Sequence, residues 1–490
     1  MDFLDPRRRK AYRRRLFIGY ALMSIVIALG TLIVLYLAYG YNVDRENGEF
    51  IQNGIVFVDS KPKGATVYVN DVAERSTTDT RLVLPQGDYT IRLEAPGFRT
   101  WQKSIKLQGG QIERLVYPLL LPNSLITSDI QTYDATPQLA SQSPDRRWVL
   151  VQKPGQTYKF DVFDLNNPKS PQTQIAVPVA SLTKPSAEAT LDIVEWSNDN
   201  RHILIKRSYE GVHEYIMFDR ERNGDSLNLN SALGITPAKV SLKDKRPDQI
   251  YYLDVVPGTL RSADIKARTI SAPLLNAVID YASYSDDIVL FVTREGSESS
   301  KADFKVLESD KIVQIRTVTE SDRYVMNVSK YQDEWFYVVG AAKDNVVFVY
   351  KNPLPALKNN EKSQLNVTVL SVDNPRFVSF SANTQFIAAQ SGKNISTLDL
   401  EYDRQYKYAL DQDIPLNQEV KWMDGHRFLY AQNQQSYIVD YDGANKQTLV
   451  TTSIANGPFF DRDYNNVYTL EGSKTDKSKV AFTLTVIDNR

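Results

Sequence analysis

The chain has 490 residues, of which 42% are hydrophobic and 24% charged, a composition that excludes a wholly disordered protein. Its 58 basic and 59 acidic residues leave a formal net charge of −1, without the basic excess that general nucleic-acid-binding proteins carry. The chain has no cysteine, which excludes disulfides, thiolate metal sites and a cysteine nucleophile.

The N-terminus joins a basic tail to an apolar segment. Residues 1–15 hold seven basic and two acidic side chains, a net charge of 7 − 2 = +5, and residues 16–41 hold no charge and no proline. As a helix, the apolar segment would be about 39 Å long, enough to cross a hydrocarbon core of about 30 Å. We therefore predict an uncleaved transmembrane helix at 16–41, with the basic tail in the cytoplasm and the later domains outside. A signal peptide cleaved near Ala38-Tyr39-Gly40 is the alternative.

A small β-domain follows this helix. Residues 42–53 are polar and predict a linker, whereas residues 54–121 predict a β-sandwich of short strands. In one strand Tyr89, Ile91 and Leu93 alternate with polar residues, as expected for a half-buried antiparallel strand.

The residues of this β-domain resemble the PEGA domain, an extracytoplasmic β-sandwich module. The matching segments are Ser60, Pro62 and Gly64, then Val67-Tyr68-Val69-Asn70, Gly87-Asp88-Tyr89-Thr90-Ile91 and Glu94-Ala95-Pro96-Gly97-Phe98. Asp71 stands where the family has glycine, and Thr77-Thr78-Asp79-Thr80 replaces the family's Thr-Pro. The resemblance implies a spacer or adhesion module rather than an enzyme.

The remainder of the chain, residues 122–490, repeats one plan: apolar strand, polar turn and second apolar strand. The eight turns include or follow Ser143, Trp196, Lys245, Tyr284, Asp333, Phe380, Trp422 and Asp461. A period of about 40–50 residues with several strands per unit is typical of a β-propeller. We predict seven or eight blades, because one unit could be divided at the ring closure, with two tandem β-sandwiches as the alternative. Trp196, Phe380 and Trp422 are expected to fill the cores between blades.

Parts of the repeat region also resemble a known family. The turns Trp196-Ser197-Asn198-Asp199-Asn200 and Trp422-Met423-Asp424-Gly425-His426, and the strand and hairpin at residues 437–449, are similar to those of TolB-like, WD40-like propellers. A PEGA domain and such a propeller behind a membrane anchor imply a protein of the bacterial cell envelope.

The search for chemistry identifies no catalytic, cofactor-binding or metal-ligating residue with a supporting motif. The chain lacks the G-x-S-x-G, H-E-x-x-H and P-loop patterns, and its three histidines are isolated in sequence. Two acidic hairpins offer oxygen atoms to calcium without completing a calcium loop: Asp440, Asp442 and Asn445, and Asp461, Asp463 and Asn465. Hydrogen bonds to their own backbone are the more common role of such side chains.

These observations predict a membrane-anchored extracytoplasmic binding or scaffold protein of the bacterial cell envelope. We expect a non-catalytic propeller that recognises an envelope protein or cell-wall glycan, with no cofactor and no nucleic-acid partner. The alternative is a glycan-active enzyme, a glycosidase or lyase, with carboxylates in the propeller channel. A third interpretation is a sensor that signals inward through a partner. Charged or aromatic side chains converging in an axial pocket would favour the enzyme.

Overall fold

A computed structural model describes residues 6–38, 41–43, 50–186, 188–285, 288–453 and 457–488. The chain divides into two compact units, Met1–Ser124 and Leu125–Asn489. The first unit contains one long helix and two small β-sheets, and the second contains eight four-stranded sheets within the described residues.

The N-terminal helix, α1, spans Pro6–Ala38. It begins within the basic tail because proline is favoured at a first helical position, and no glycine or second proline interrupts the arginine-rich turns that follow. It ends three residues before the predicted end of the transmembrane segment at residue 41. Its segment Tyr12–Tyr36 is, by length and composition, apolar enough to cross a membrane, and its side chains are exposed. The predicted apolar N-terminal helix is therefore present.

The predicted linker at 42–53 is partly strand. Tyr41–Val43 (β1) pairs antiparallel with the start of Phe50–Val58 (β2), so that Val43 lies opposite Phe50. The pairing joins the two ends of the predicted linker, and residues 44–49 lie outside the described part of the chain.

The two small sheets form the β-domain. Its other strands are Thr66–Val69 (β3), Val72–Thr77 (β4), Thr80–Pro85 (β5), Gly87–Glu94 (β6), Trp101–Leu107 (β7) and Ile112–Leu115 (β8). One sheet has the order β1-β2-β5 with β8 parallel to β2, and the other has the order β4-β3-β6-β7. Val56, Val67, Leu93 and Trp101 are buried at its core, as the alternating pattern predicts. Asp71 has φ +65° in the β3–β4 turn, the conformation that glycine adopts most easily.

The second unit consists of eight antiparallel four-stranded sheets, here called blades 1–8. Blade 1 contains Ala140–Gln142 (β10), Trp148–Gln152 (β11), Lys159–Asp164 (β12) and Thr173–Ala176 (β13), and blade 2 contains Thr190–Trp196 (β14), His202–Tyr209 (β15), Val212–Asp219 (β16) and Leu227–Asn228 (β17). Blade 3 contains Pro237–Leu242 (β18), Gln249–Asp254 (β19), Leu260–Asp264 (β20) and Thr269–Ile270 (β21), and blade 4 contains Val278–Tyr284 (β22), Ile288–Thr293 (β23), Lys301–Glu308 (β24) and Lys311–Thr319 (β25).

Blades 5–8 complete the set. Blade 5 contains Tyr324–Tyr331 (β26), Glu334–Ala341 (β27), Val346–Lys351 (β28) and Asn366–Ser371 (β29), and blade 6 contains Phe377–Phe380 (β30), Phe386–Ser391 (β31), Asn394–Asp399 (β32) and Arg404–Ala409 (β33). Blade 7 contains Lys421–Trp422 (β34), Arg427–Gln432 (β35), Gln435–Asp440 (β36) and Gln447–Thr451 (β37), and blade 8 contains Phe459–Phe460 (β38), Asn466–Gly472 (β39), Val480–Val486 (β40) and Ile126–Tyr133 (β9). Two short helices, Leu229–Leu233 (α2) and Pro353–Lys358 (α3), lie in loops.

The blades close into a ring, because each blade packs against the next. Continuous apolar clusters join blades 1 and 2, 2 and 3, 3 and 4, 4 and 5, 5 and 6, 6 and 7, and 8 and 1. Blades 7 and 8 meet through the Tyr464 hydroxyl, which donates to the Met423 carbonyl at 3.2 Å. The fold is an eight-bladed β-propeller, and each blade buries its faces against its neighbours.

The ring closes by dividing blade 8. Its fourth strand, β9, comes from the start of the unit and pairs antiparallel with β40 near the end of the chain. The predicted division at the closure therefore occurs, but it completes the eighth blade and does not reduce the count to seven. The predicted polar turns lie between the first and second strands of successive blades, and residues 286–287 of the turn after Tyr284 lie outside the described part of the chain. Trp196, Phe380 and Trp422 pack in the clusters between blades, as expected.

Candidate functional site

The first strands of the blades surround the axis of the propeller. They contact one another from blade to blade: the Trp196 indole donates to Ser141 Oγ at 2.9 Å, and Lys239 Nζ donates to Asp280 Oδ1 at 2.7 Å. Because every first strand is at one edge of its blade, these contacts place the first strands innermost. Their side chains line the axial channel, where propellers commonly bind ligands.

A cavity of about 390 Å³ lies among the first strands of blades 7, 8, 1 and 2. Asp192 of β14 and Lys421 of β34 contribute exposed side chains of opposite charge to its lining. Phe459 and Phe460 of β38 contribute apolar surface. The cavity therefore offers a carboxylate, an ammonium group and aromatic rings to one ligand.

Arg146 borders the end of the cavity where the first and second strands are connected. Its guanidinium donates to the carbonyl oxygen of Met423 at 2.8 Å, and its carbon centre lies 4.3 Å from the ring centroid of Tyr464. Gln142 reinforces the same region by donating to the Phe460 carbonyl at 2.7 Å. These contacts join blades 1, 7 and 8, so this part of the lining is held by fixed polar groups.

Glu419 is a further acidic group on the same segment, two residues before Lys421, but it is not among the residues that line the cavity. Burial raises the pKa of the Glu419 carboxyl above its usual value, and the nearby charges of Lys421 and Arg323 lower it only in part. Arg323 itself donates to the Arg376 carbonyl at 3.0 Å. A half-buried carboxyl with a raised pKa beside cations is typical both of structural networks and of acid–base groups.

The acidic hairpins considered for calcium direct their oxygen atoms at nearby protein groups. Asp442 accepts from the Ala444 amide at 3.0 Å, and the Asn445 amide donates to Asp440 Oδ2 at 2.8 Å. In the second hairpin Asp461 accepts from the Asn465 amide at 2.8 Å. Among the residues that the structure describes, no group of three acidic or histidine side chains is placed to hold a metal ion.

The three histidines lie in separate environments. His202 Nδ1 is 2.6 Å from Asp199 Oδ2, and His213 Nδ1 is 2.9 Å from Ser208 Oγ. The His426 ring packs edge-on against Phe386, with 5.4 Å between centroids. The structure therefore does not bring them together.

The sequence analysis named Ser143, Trp422 and Met423, which line the cavity, only as turn residues, and it named neither of the charged lining residues Asp192 and Lys421. A signal was present for Asp192, because it interrupts the apolar pattern of Leu191 and Ile193 in the first strand of a predicted blade. Glu419 and Lys421 likewise place charges on either side of an apolar residue, just before the Trp422 turn. A charge in the innermost strand is costly unless it faces water, so such residues indicate the channel.

Comparison with known proteins identifies one segment of the chain. Residues 53–119 match the family model of the PEGA domain, which confirms the prediction for this segment. No curated protein sequence matches the chain. The TolB-like assignment stays a prediction.

Several solved structures are similar to the chain, and they include two propellers. The propeller domain of Cps50 (Swd1) from Myceliophteria thermophila is 12% identical, with 66% of this chain and 100% of that chain covered at a TM-score of 0.38. The Dos1 propeller is 10% identical, covering 74% and 96% at a TM-score of 0.43. An oligogalacturonate lyase from Vibrio parahaemolyticus is 8% identical, covering 74% and 97% at a TM-score of 0.36.

Proposed function

We propose that this chain is a membrane-anchored binding or scaffold protein of the bacterial cell envelope. The apolar helix α1, the PEGA domain and the propeller support this role. The basic tail before α1 supports an N-terminus in the cytoplasm and folded domains on the outer side. The propeller recognises a protein or glycan partner and catalyses no reaction.

The axial cavity is the observation that supports recognition. Its volume of about 390 Å³ is in the range of small-ligand sites, so it accommodates a short peptide segment or one sugar unit. Asp192 and Lys421 provide directional polar contacts, while Phe460 provides apolar surface. Asp192 is the one carboxylate that borders the cavity within the described residues, and paired carboxylates are what glycoside hydrolysis needs.

Site-specific photo-crosslinking in the native cells tests this proposal. A photoreactive amino acid at position 421 is expected to give one reproducible crosslinked partner, identified by mass spectrometry. The matched control places the same amino acid at Lys407, which is exposed on β33, the fourth strand of blade 6. Equal crosslinking at both positions, or none at 421 together with no retention on purified wall glycan, would contradict recognition at the cavity.

The membrane topology has an independent test, because the chain contains no cysteine. A single cysteine is introduced either at Asp2 in the basic tail or at Lys407 in the propeller. In spheroplasts, a membrane-impermeant maleimide is expected to label the Lys407→Cys chain and to spare the Asp2→Cys chain. The reverse pattern would place the propeller in the cytoplasm.

A glycan-active enzyme is the second candidate, favoured by one observation. The raised pKa of the Glu419 carboxyl suits a general acid, and Asp192 in the cavity lining is the carboxylate that would have to act with it. Purified wall glycan incubated with the full chain in detergent distinguishes the two functions. New reducing ends or unsaturated products that disappear in both Glu419→Gln and Asp192→Asn would establish the enzyme, whereas retention without products supports binding.

A further inference from the structure

The outer edge of blade 4 differs from the outer edges of the other blades. Its fourth strand, β25, has nine residues, whereas the fourth strands of the other described blades have two to eight. Within the described chain, no backbone hydrogen bond joins the outer edge of residues 311–318 to another segment. The next backbone group, the amide of Thr319, has a partner, because it donates to Asp344 Oδ2 at 3.1 Å. A long open edge of this kind can pair with another strand.

A groove follows this edge. Its volume is about 870 Å³, and seven consecutive residues of β25, 311–317, form one wall. Tyr350, Leu357 near the end of α3 and Leu365 in the next loop also line the groove. Seven strand residues span about 23 Å, so the groove has the length for one extended segment. Ile312 exposes 55% of its surface there.

The groove is positively charged. Lys311, Arg316 and Lys358 border it, and no acidic side chain does so in the described part of the chain. Lys358 forms an ion pair with Glu308 at 2.5 Å, whereas Lys311 and Arg316 have no carboxylate within ion-pair distance among the described residues. The surplus charge therefore belongs to Lys311 and Arg316.

Arg316 is the most constrained of these cations. Its carbon centre lies 3.4 Å from the ring centroid of Phe348, and one guanidinium nitrogen donates to the Tyr350 hydroxyl at 3.1 Å. The side chain is half-buried, so its remaining donors are held in one orientation without a compensating charge. A guanidinium in this setting suits a carboxylate, which it can bind through two parallel hydrogen bonds.

We propose that the groove binds an extended, acidic polypeptide segment of a partner protein, which adds to β25 as a fifth strand of blade 4. Main-chain groups of the segment pair with the open edge, and one of its carboxylates pairs with Arg316. A strand is the occupant because only a polypeptide offers alternating amide donors and carbonyl acceptors along the edge. The surface is separate from the axial cavity, so the proposal does not depend on the function assigned there.

The test uses the full chain in detergent and fluorescent peptides. The probe is the acetylated, amidated peptide Thr-Val-Glu-Val-Glu-Val-Thr. One control peptide carries lysine in place of glutamate, and a second carries N-methyl groups on alternate amides, which prevent strand pairing. Fluorescence anisotropy is expected to show binding of the acidic probe and at least about tenfold weaker binding of both controls, since one charge-assisted contact is worth about that factor.

Variants locate the site. Arg316→Gln is expected to weaken the acidic probe at least about tenfold, and Lys311→Glu to weaken it at least about threefold, because the lysine is more exposed. Lys407→Glu on β33 is the matched control, since it makes the same change on another fourth strand, and it should leave binding unchanged. Both test residues are on the surface of the blade, and circular dichroism verifies that each variant is folded.

Three results would overturn the proposal. They are equal binding of the N-methylated probe, binding unaffected by Arg316→Gln, and no binding of the acidic probe to the unmodified chain. Phosphatidylglycerol vesicles form a further arm, because an anionic membrane surface could also use these cations. Arg316-dependent binding to the vesicles, but not to the peptide, would assign the groove to lipid.

Discussion

Blades 2 and 6 each bury an aspartate at the end of the third strand, and the two aspartates have different surroundings. Asp219 ends β16 in blade 2, where Arg201 donates from Nε to Oδ1 at 2.8 Å and from a second nitrogen to Oδ2. Asp399 ends β32 in blade 6, where Gln385 stands in the place of the arginine and donates once, at 3.3 Å. Both aspartates are only 1% exposed. The two carboxylates are thus equally hidden from solvent but differ in their charge compensation.

The compensation decides the pKa of each carboxyl. Burial alone would raise the pKa of Asp219, but bonds from Arg201 and from the backbone amides of Arg222 and Glu221 outweigh it and hold the pKa at about 2. For Asp399 burial prevails and raises the pKa above its usual value. Its Oδ2 atom has no hydrogen-bond partner within the described chain. The charges around the carboxyl, Arg201 and the nearby His202 in blade 2 and no cation of the described residues in contact with Asp399 in blade 6, therefore contribute to whether this position stabilises or destabilises a blade at neutral pH.

Blade 1 repeats the arrangement of blade 2. Arg147 donates to both oxygens of Asp164 at 3.0 and 2.8 Å. These bonds lower the pKa of Asp164, against the effect of burial. The arginine pair is thus a recurrent feature of this ring, and blade 6 is the exception among the three blades compared.

The largest expected effect comes from removing the paired carboxylate. Asp219→Ala should lower the free energy of unfolding of the propeller by about 3 kcal/mol at pH 7, because Arg201 and two backbone amides lose their acceptor. Urea denaturation followed by tryptophan fluorescence measures the change. Asp225→Ala, in the exposed loop after β16, is the control and should be close to neutral. A loss below about 0.5 kcal/mol for Asp219→Ala would mean that the pair contributes little.

A smaller gain is expected from giving blade 6 the missing arginine. Gln385→Arg should raise the free energy of unfolding by about 1–2 kcal/mol, because the guanidinium compensates the buried Asp399. In this variant the pKa of the Asp399 carboxyl should fall below its usual value, and NMR titration of that carboxyl can follow the change. Gln385→Lys places a point charge there without the two-pronged geometry and should give a smaller gain. A destabilised Gln385→Arg chain would show that blade 6 cannot accommodate the longer side chain.

Replacing Asp399 with a neutral residue should stabilise the fold only at a pH where the Asp399 carboxyl of the unmodified chain is ionised. Its folded pKa is above the unfolded value of about 4, so the ionised form costs stability above the folded pKa, and the cost vanishes below about pH 4. Asp399→Asn is therefore expected to gain about 1 kcal/mol at pH 7 and nothing at pH 4. For Asp219 the sign is opposite: its stabilisation is present above about pH 4 and is lost as the pH falls towards about 2. A gain that is independent of pH would exclude relief of charge.

The smallest effects concern a tryptophan–serine hydrogen bond that occurs twice, once between blades 2 and 1 and once between blades 7 and 6. The indole of Trp196 donates to Ser141 Oγ at 2.9 Å, and that of Trp422 donates to Ser379 Oγ at 3.0 Å. Ser141→Ala and Ser379→Ala should each cost about 0.5–1 kcal/mol, since each leaves an indole donor without its partner. Equal losses in urea denaturation would show that the tryptophan contact is independent of the aspartate difference. A much smaller loss for Ser379→Ala would link the two features in blade 6.

The local pattern of the sequence predicted much of the fold. Ser143, Trp196 and Asp461 begin or precede turns that lie at equivalent positions in their blades, because a polar turn between two apolar strands is encoded within about ten residues. The alternation at Ile91 and Leu93 likewise predicted the buried face of the β-domain. The linker was less predictable, because the pairing of Val43 with Phe50 depends on a partner strand.

The sequence by itself determined the repeat, the anchor-like helix and the identity of the PEGA domain, because each depends on residues that are close together along the chain. Only the tertiary structure decided the closure and the cavity. Arg146 meets Met423 across 277 positions, and β9 completes the blade that β40 belongs to. Which innermost side chains converge, as Asp192 and Lys421 do, depends on how eight separate units are arranged around one axis. No local pattern contains that information, since each blade specifies its own strands and only the packed ring specifies their neighbours.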